Sequence, residues 1–186
     1  MRVIAGTARS LPLKTPAGMD TRPTSDKTKE TLFNVLMPDI ADADFLDLYS
    51  GSGGIGIEAL SRGARSACFV EKGRSAIACI EENLQFTKFV DRAQVIKTDV
   101  MMALRQLEGK HVFDIIFMDP PYNEQHEERV LAYLAHSTLL HDDTIIVVEA
   151  SKETDFDYLP EMGYYIKKQK DYKTNKHVWI GKECPV

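Results

Sequence analysis

Short apolar runs alternate along this chain with segments in which apolar residues recur at helical spacing. Such runs predict buried strands, and the intervening segments predict amphipathic helices. Strand and helix in repeated alternation indicate right-handed crossovers and a mostly parallel sheet with helices on both faces. The near-continuous apolar character of the strands is typical of burial on both sides. The predicted strands of this sheet are 44–49, 66–71, 93–99, 112–119 and 144–150.

Both ends of the chain break this alternation. Residues 163–181 predict two strands around a polar turn, a hairpin that closes one edge of the sheet. At the other end, residues 2–5 predict a short strand, and residues 10–23, rich in proline, glycine and threonine, predict an irregular arm. Thr24 or Ser25 is the predicted N-cap of the helix that follows.

We therefore predict a single α/β domain over residues 1–186. Residues 1–40 would form an N-terminal arm and helix, and residues 41–186 the core. The chain is 44% apolar and 27% charged, which is typical of a soluble globular protein. No apolar run of about 18 residues predicts a membrane helix, and the first residues lack the apolar stretch of a secretion signal.

The cysteines and histidines do not predict a metal site. Cys68, Cys79 and Cys184 show no C-x-x-C spacing, so neither a disulfide framework nor a zinc site is indicated, and a reducing cytoplasm is favoured. The five histidines lack ligand-like spacing, and we interpret them as surface or helix-end residues: His111, His126, His136, His141 and His177.

The formal net charge of −5 argues weakly against nucleic-acid binding, but the charge is unevenly distributed. Residues 1–30 carry six basic and three acidic side chains, and residues 164–176 interleave lysines with tyrosines. A local basic face can meet phosphates on a globally acidic protein. Two solvated surface segments explain the same pattern equally well, and this holds for Lys167, Lys168, Lys170 and Lys173.

A glycine-rich turn follows the first predicted strand of the core. Gly51, Gly53 and Gly56 form a G-x-G-x-x-G pattern that Asp47 precedes by four residues. Glycines allow a tight turn and the close approach of a ligand, and the following helix offers free N–H groups. NAD enzymes share this pattern, but Asp47 would repel a pyrophosphate and attract a cationic head. S-adenosylmethionine has such a head, so we predict it as the cofactor and keep NAD as a distant alternative.

Acidic residues recur where successive predicted strands end, at Asp47, Glu71, Asp99 and Asp119. Ligands of open α/β sheets bind at the carboxyl ends of strands. A carboxylate at Glu71 can accept both hydroxyls of a ribose, and Asp99 could meet an adenine amino group. A single acid is more often a helix cap or a solvated loop residue, but several beside a glycine loop favour a site.

The segment Asp119-Pro120-Pro121-Tyr122 ends the fourth core strand abruptly. Two prolines fix two φ angles and remove two N–H donors, so the turn is stiff. The segment resembles the D/N-P-P-Y/F motif of amino methyltransferases. By that resemblance, Asp119 and the Pro120 carbonyl would accept the two N–H groups of an exocyclic amine, and Tyr122 would stack on the base. Methyl transfer would then be an in-line displacement accelerated by positioning and electrostatics, with no metal.

Three stretches together resemble the RsmD family of bacterial 16S ribosomal RNA methyltransferases: RVIAG at the start, residues 21–36, and the glycine loop with MDPPY. The resemblance implies a Rossmann-like S-adenosylmethionine-dependent methyltransferase fold. That fold has a mostly parallel seven-stranded sheet with a C-terminal antiparallel hairpin and a short N-terminal extension. It also implies methylation of the N2 amine of one guanine, guanine 966, in 16S ribosomal RNA. The RNA would be met within the small ribosomal subunit or its assembly intermediate, without a membrane or a metal.

The resemblance also assigns residues to roles. Asp119, Pro120, Pro121 and Tyr122 would be catalytic. Arg22, Thr24, Lys29 and Tyr122 would contact the substrate, the first three near the mouth of the site. Cofactor contacts would come from the glycine loop and the strand-end acids: Asp47, Tyr49, Gly51, Gly53, Gly56, Glu71, Asp99 and Asp119.

Two other functions stay open on the sequence. D-P-P-Y also serves DNA adenine-N6 and cytosine-N4 methyltransferases, although this chain has no obvious insertion that could recognise a DNA target. A non-catalytic, cofactor-binding RNA module is the other alternative, and the presence of both Asp119 and Tyr122 argues against it.

Overall fold

A computed structural model describes residues 1–16, 25–121 and 125–183. Within these ranges, helices and strands alternate from α1 to β5, as the apolar pattern predicts, and two further strands follow. Their bounds, in chain order, are α1 Asp26–Leu36, β1 Asp44–Leu48, α2 Gly54–Ser61, β2 Ser66–Val70, α3 Arg74–Thr87, β3 Ala93–Ile96, α4 Val100–Leu107, β4 Phe113–Met118, α5 His126–Leu134, β5 Leu140–Ser151, β6 Tyr164–Asp171 and β7 Asn175–Lys182.

The seven strands form one sheet in the order β3-β2-β1-β4-β5-β7-β6. Strands β1 to β5 pair in parallel, whereas β7 runs antiparallel between β5 and β6. The prediction of a mostly parallel sheet with a C-terminal hairpin is confirmed. The chain leaves β1 toward β2 and β3 and then returns to the other side of β1 with β4. The carboxyl ends of β1 and β4 are therefore the topological switch point, where ligands of such sheets bind.

Each face of the sheet is covered by its own set of helices. Leu48, Met118 and Val148 pack with α4 and α5 on one face, which we call the α4/α5 face. Phe45, Phe117 and Trp179 pack with α1, α2 and α3 on the opposite α1–α3 face. Because side chains alternate along a strand, a residue next to one that packs on the α4/α5 face points toward the α1–α3 face.

The N-terminal arm is held by backbone and side-chain hydrogen bonds but does not form a strand. In place of the strand predicted over residues 2–5, the arm makes an isolated bridge between Arg2 and Pro12. The backbone N–H groups of Ile4 and Ala5 donate to the Glu58 carboxylate at 2.8 and 3.0 Å, which removes them from strand pairing. The short-strand prediction is therefore wrong, because a buried acid on α2 takes those donors.

Helix α1 begins as its sequence predicts. The hydroxyl of Ser25 accepts from the N–H of Thr28 at 3.1 Å, so Ser25 is the N-cap, and Thr24 lies outside the described residues. The buried face of the helix consists of Lys29, Leu32, Phe33 and Leu36. No helix in the described ranges is both long and apolar enough to cross a membrane. The same ranges contain no group of three or more acidic, histidine or cysteine side chains placed to hold a metal.

Candidate active site

The loop between β1 and α2 turns through the left-handed backbone region. Tyr49, Gly51 and Gly53 have φ angles of 62°, 55° and 80°. The two glycines adopt this backbone region without strain. A Cβ added at Gly51 would meet no described atom within 4 Å, so the backbone there is open. This open, tightly turned backbone is what the close approach of a ligand requires.

Gly56 serves the packing of α2. A Cβ at this position would lie 2.4 Å from a ring carbon of Phe69, so only glycine lets the helix approach β2 this closely. Its N–H donates to Oδ2 of Asp47 at 3.0 Å, which fixes that carboxylate beneath the loop. A direct contact between Gly56 and the cofactor stays a prediction.

Asp47 lies at the carboxyl end of β1 with 1% of its surface exposed. Burial raises the pKa of Asp47 to about 7, the hydrogen bond from Gly56 opposes that rise, and the charge of Glu71 adds to it. A buried carboxylate is costly unless a positive charge faces it, and a cationic ligand would favour its ionised form. The position of Asp47 under the glycine loop therefore fits the cationic methionine portion of S-adenosylmethionine.

Glu71 follows β2 and faces the same loop. Its Oε2 accepts from Gly51 N–H at 2.9 Å, and its Oε1 accepts from Lys72 and Gly73 N–H at 2.9 and 2.7 Å. These three donors hold the carboxylate in one orientation. Each carboxylate oxygen has two acceptor positions, so Oε2 can still accept from a hydroxyl. The geometry fits a ribose beside the loop.

Asp99 caps α4, because its Oδ1 accepts from Met102 N–H at 3.1 Å. The helix-cap interpretation therefore holds for this residue. Its second oxygen remains available as an acceptor, and a contact with adenine stays a prediction.

The Asp-Pro-Pro segment begins where β4 ends at Met118. Asp119 is half-buried, Pro120 is buried and Pro121 is exposed. Burial raises the pKa of Asp119 well above its usual range, and the negative charges of Glu149 and Asp47 raise it further. Asp47 and Asp119 thus meet at the β1–β4 switch point, as the sequence predicts. Tyr122, Arg22 and Thr24 lie outside the described residues.

A third carboxylate, Glu149 on β5, joins this pair. Leu48, Met118 and Val148 form one row across β1, β4 and β5 and pack on the α4/α5 face. Their chain neighbours within the strands, Asp47 and Glu149, are thereby directed toward the α1–α3 face, and the charges of both reach Asp119, the first residue after β4. Sequence reasoning missed Glu149 as a site residue, although an acid inside the apolar run 144–150 was the available signal.

The interpretation of His177 as a surface residue is wrong. His177 is fully buried on β7 directly opposite Glu149, and its Nε2 lies 2.9 Å from Glu149 Oε2. The charged partner on the neighbouring strand supplies the hydrogen bond that a buried imidazole needs. The other four histidines are exposed or half-buried.

The structure also contradicts a direct contact between Lys29 and RNA or cofactor. The side chain is fully buried, and its Nζ donates to the Arg2 carbonyl at 2.6 Å and lies 3.3 Å from Glu58 Oε2. Burial lowers the pKa of Lys29, and the charge of Glu58 opposes that change. Lys29 is internal because the buried Glu58 on α2 requires a cationic partner. It fastens the N-terminal arm to α1 and α2.

Residues 1–180 match the family model described as "Conserved hypothetical protein 95". The chain is 37% identical over 156 residues to "Ribosomal RNA small subunit methyltransferase D" of Haemophilus influenzae, covering 82% of this chain and 80% of that protein. It is 36% identical over 160 residues to the protein of the same name from Escherichia coli strain K12, covering 86% and 79%. YlbH of Bacillus subtilis is 41% identical over 162 residues, covering 87% and 86%.

Solved structures show the same fold. The Escherichia coli protein yhhF superposes with a TM-score of 0.87 at 32% identity, and the match covers 98% of each chain. The Haemophilus influenzae protein HI0767 superposes with a TM-score of 0.82 at 31% identity, again over 98% of each chain.

Proposed function

Because this chain belongs to the RsmD family, we propose that it transfers a methyl group from S-adenosylmethionine to the N2 amine of a guanine in 16S ribosomal RNA. The assignment to ribosomal RNA methylation rests on the family. The guanine N2 amine, and guanine 966 as the position, are the finer part of the proposal. One observation carries the chemistry: Asp119 and its rigid proline pair lie beside Asp47 at the β1–β4 switch point.

The glycine loop and two acids would hold the cofactor. Asp47 faces the positive charge of the methionine portion, and Glu71 accepts from the ribose hydroxyls. Gly51 leaves space for the ligand at the backbone. When bound, S-adenosylmethionine supplies an electrophilic methyl group.

The segment after β4 would hold the amine. An exocyclic nitrogen of a base is a weak nucleophile, because its lone pair is delocalised into the ring. Asp119 and the Pro120 carbonyl accept its two N–H groups and so direct the lone pair toward the methyl group. The raised pKa of Asp119 also suits it to take a proton from the nitrogen as positive charge develops there. The proposed stacking of the base on Tyr122 rests on the resemblance of the motif alone.

The RNA partner would be the small ribosomal subunit or its assembly intermediate, met in the cytoplasm. Lys167, Lys168 and Lys170 are exposed on β6, the edge strand of the sheet, where a phosphate backbone can reach them. A target base that is paired or stacked must first be turned out to enter the site.

Nucleoside mass spectrometry of 16S RNA tests this proposal in cells that lack the gene for this chain. Expression of the wild-type chain restores N2-methylguanosine at one position, and expression of Asp119→Ala does not. Methylated adenine or cytosine in DNA from the complemented cells, with unchanged RNA, would support the DNA methyltransferase alternative instead.

A further inference from the structure

Two side chains of the neighbouring strand β7 form hydrogen bonds with the Glu149 carboxylate. His177 Nε2 lies 2.9 Å from its Oε2, and Asn175 Nδ2 donates to its Oε1. Both donors come from β7, which pairs with β5 in the register Glu149–His177. Each oxygen of the carboxylate therefore has its own donor, and the side chain is fixed in orientation.

These contacts also indicate the tautomer of His177. A carboxylate only accepts hydrogen bonds, so His177 Nε2 carries the proton between them. The Tyr172 hydroxyl lies 3.1 Å from the other ring nitrogen of His177 and can donate to it. The imidazole packs edge-to-face against Phe117, Tyr172 and Trp179, which keeps it in place. Two hydrogen bonds from β7 thus satisfy the buried carboxylate of Glu149.

Glu149 lies close to the Asp-Pro-Pro segment. Asp119, the first residue after β4, and Glu149 on β5 directly follow the paired residues Met118 and Val148, so the two acids are neighbours at the same edge of the sheet. The charged and titratable groups that face them, within the described residues, are Asp47 from β1, His177 from β7 and Tyr172 from the β6–β7 turn. Glu71 faces Asp47 in turn.

We propose that Glu149, held by His177 and Asn175, is a positioning residue that keeps a carboxylate beside Asp119, the group that takes the proton released by the substrate amine. This inference rests on the proposed function for the identity of that amine. It goes beyond that function by assigning a role to Glu149 and His177, which lie outside the Asp-Pro-Pro segment.

The lone pair of the amine nitrogen forms the bond to the methyl carbon while the methyl–sulfur bond breaks and its electron pair stays on sulfur. The nitrogen gains positive charge, and one of its protons passes to the Asp119 carboxylate. A like charge fixed nearby favours the protonated form of Asp119 and so strengthens it as an acceptor.

Carboxyl carbon NMR of the full-length chain, without substrate, tests the link between the two acids directly. The Asp119 signal is assigned by its loss in Asp119→Asn. Glu149→Gln keeps the size of the side chain and removes its charge, so we expect the titration midpoint of Asp119 to fall by about one pH unit. Glu153→Gln removes a charge from an exposed turn near the same strand and leaves the midpoint unchanged. An unchanged midpoint in a folded Glu149→Gln variant would overturn the inference.

The pH dependence of methyl transfer to small ribosomal subunits provides the second readout. In Glu149→Gln we expect the acidic limb of the pH profile of kcat to move to lower pH. We expect the plateau value of kcat to fall roughly 3- to 10-fold, with KM for the subunit unchanged. His177→Phe, which removes a donor to Glu149, shifts the limb in the same direction, and His177→Gln retains more of the wild-type profile. A lower plateau with an unmoved limb would show a merely structural role and contradict the inference. Absence of transfer by the wild-type chain would refute the proposed function, and the NMR shift would still decide the Asp119–Glu149 coupling.

Discussion

The amide nitrogen of Gly56, in the first turn of α2, lies 3.0 Å from Oδ2 of Asp47 at the end of β1. The glycine loop therefore closes onto the acid that precedes it. Because a side chain at Gly56 would strike Phe69, the approach of the helix, the shape of the loop and the position of the acid are set together. The shape of the proposed cofactor site is thus set by packing within the chain.

Asp47→Asn is expected to stabilise the protein without cofactor, and more so at higher pH. The folded-state pKa of Asp47 is about 7, above the unfolded value of about 3.9. The wild type therefore loses stability as pH rises through this window, since its unfolded state binds fewer protons. Asparagine does not titrate, so its advantage in the free energy of unfolding should be about 2–3 kcal/mol larger at pH 8 than at pH 5. Urea unfolding of the wild type and the variant at both pH values measures this difference in the free energy of unfolding.

The same variant should bind S-adenosylmethionine roughly 10-fold or more weakly by calorimetry, because the countercharge is lost. Asp39→Asn, at an exposed position, is the matched control for both measurements. A stability difference that does not change with pH would contradict the assigned burial of the Asp47 charge.

Lys29→Met should destabilise the fold by about 2–4 kcal/mol, because it leaves the buried Glu58 carboxylate without its ammonium partner. Arg62 and two backbone N–H groups still reach Glu58, which keeps the loss below that of an isolated buried charge. Chemical denaturation measures the loss, with Lys27→Met on the exposed face of the same helix as control. Unchanged stability together with a raised KM for RNA would instead indicate that Lys29 contacts the substrate.

Glu71→Gln should weaken cofactor binding roughly 10-fold or more. An amide group in this position brings its own N–H toward backbone donors, so at least one of the contacts from Gly51, Lys72 and Gly73 is lost along with a ribose acceptor. Calorimetry with S-adenosylhomocysteine, which keeps the ribose but lacks the methyl group and the positive charge on sulfur, measures this loss without methyl transfer. The control is Glu81→Gln, on the exposed face of α3, and equal affinities for both variants would exclude Glu71 from the site.

Two alanine substitutions in the glycine loop should separate stability from binding. Gly56→Ala places a methyl group against the Phe69 ring and should cost about 1–3 kcal/mol of stability. Gly51→Ala meets no described atom but forces a side chain into the left-handed region, at about 1–2 kcal/mol, and occupies the space left for the ligand. Thermal unfolding and calorimetry on both variants should show the larger loss of cofactor affinity in Gly51→Ala. The reverse order would show that the open face of Gly51 is not where the ligand lies.

The sheet was predictable because its strands are apolar on both faces and its turns carry glycine and proline. The strand ends brought Asp47, Glu71 and Asp119 to one edge as their spacing indicates, since parallel strands all end on the same side. Only the short strand at residues 2–5 failed, and it failed through a contact with Glu58 that lies more than fifty residues away in the sequence.

The buried ionic contacts could not be predicted from local pattern. Lys29 lies on a helix whose polar spacing suits an exposed face, and its burial depends on Glu58 from another helix. His177 is buried because the antiparallel register of β7 places it opposite Glu149, and register is not visible in a strand's own residues. In both cases the contact joins residues of two different elements. The composition and apolar spacing of either element alone do not indicate the pairing.

Transfer of a deuterated methyl group from labelled S-adenosylmethionine to small ribosomal subunits, followed by nucleoside mass spectrometry, is the decisive test of methyl transfer to guanine N2 through Asp119. We expect labelled N2-methylguanosine with the wild-type chain and a loss of about 100-fold or more in rate with a folded Asp119→Ala. Label in another nucleoside, or an Asp119→Ala variant as active as the wild type, would contradict it.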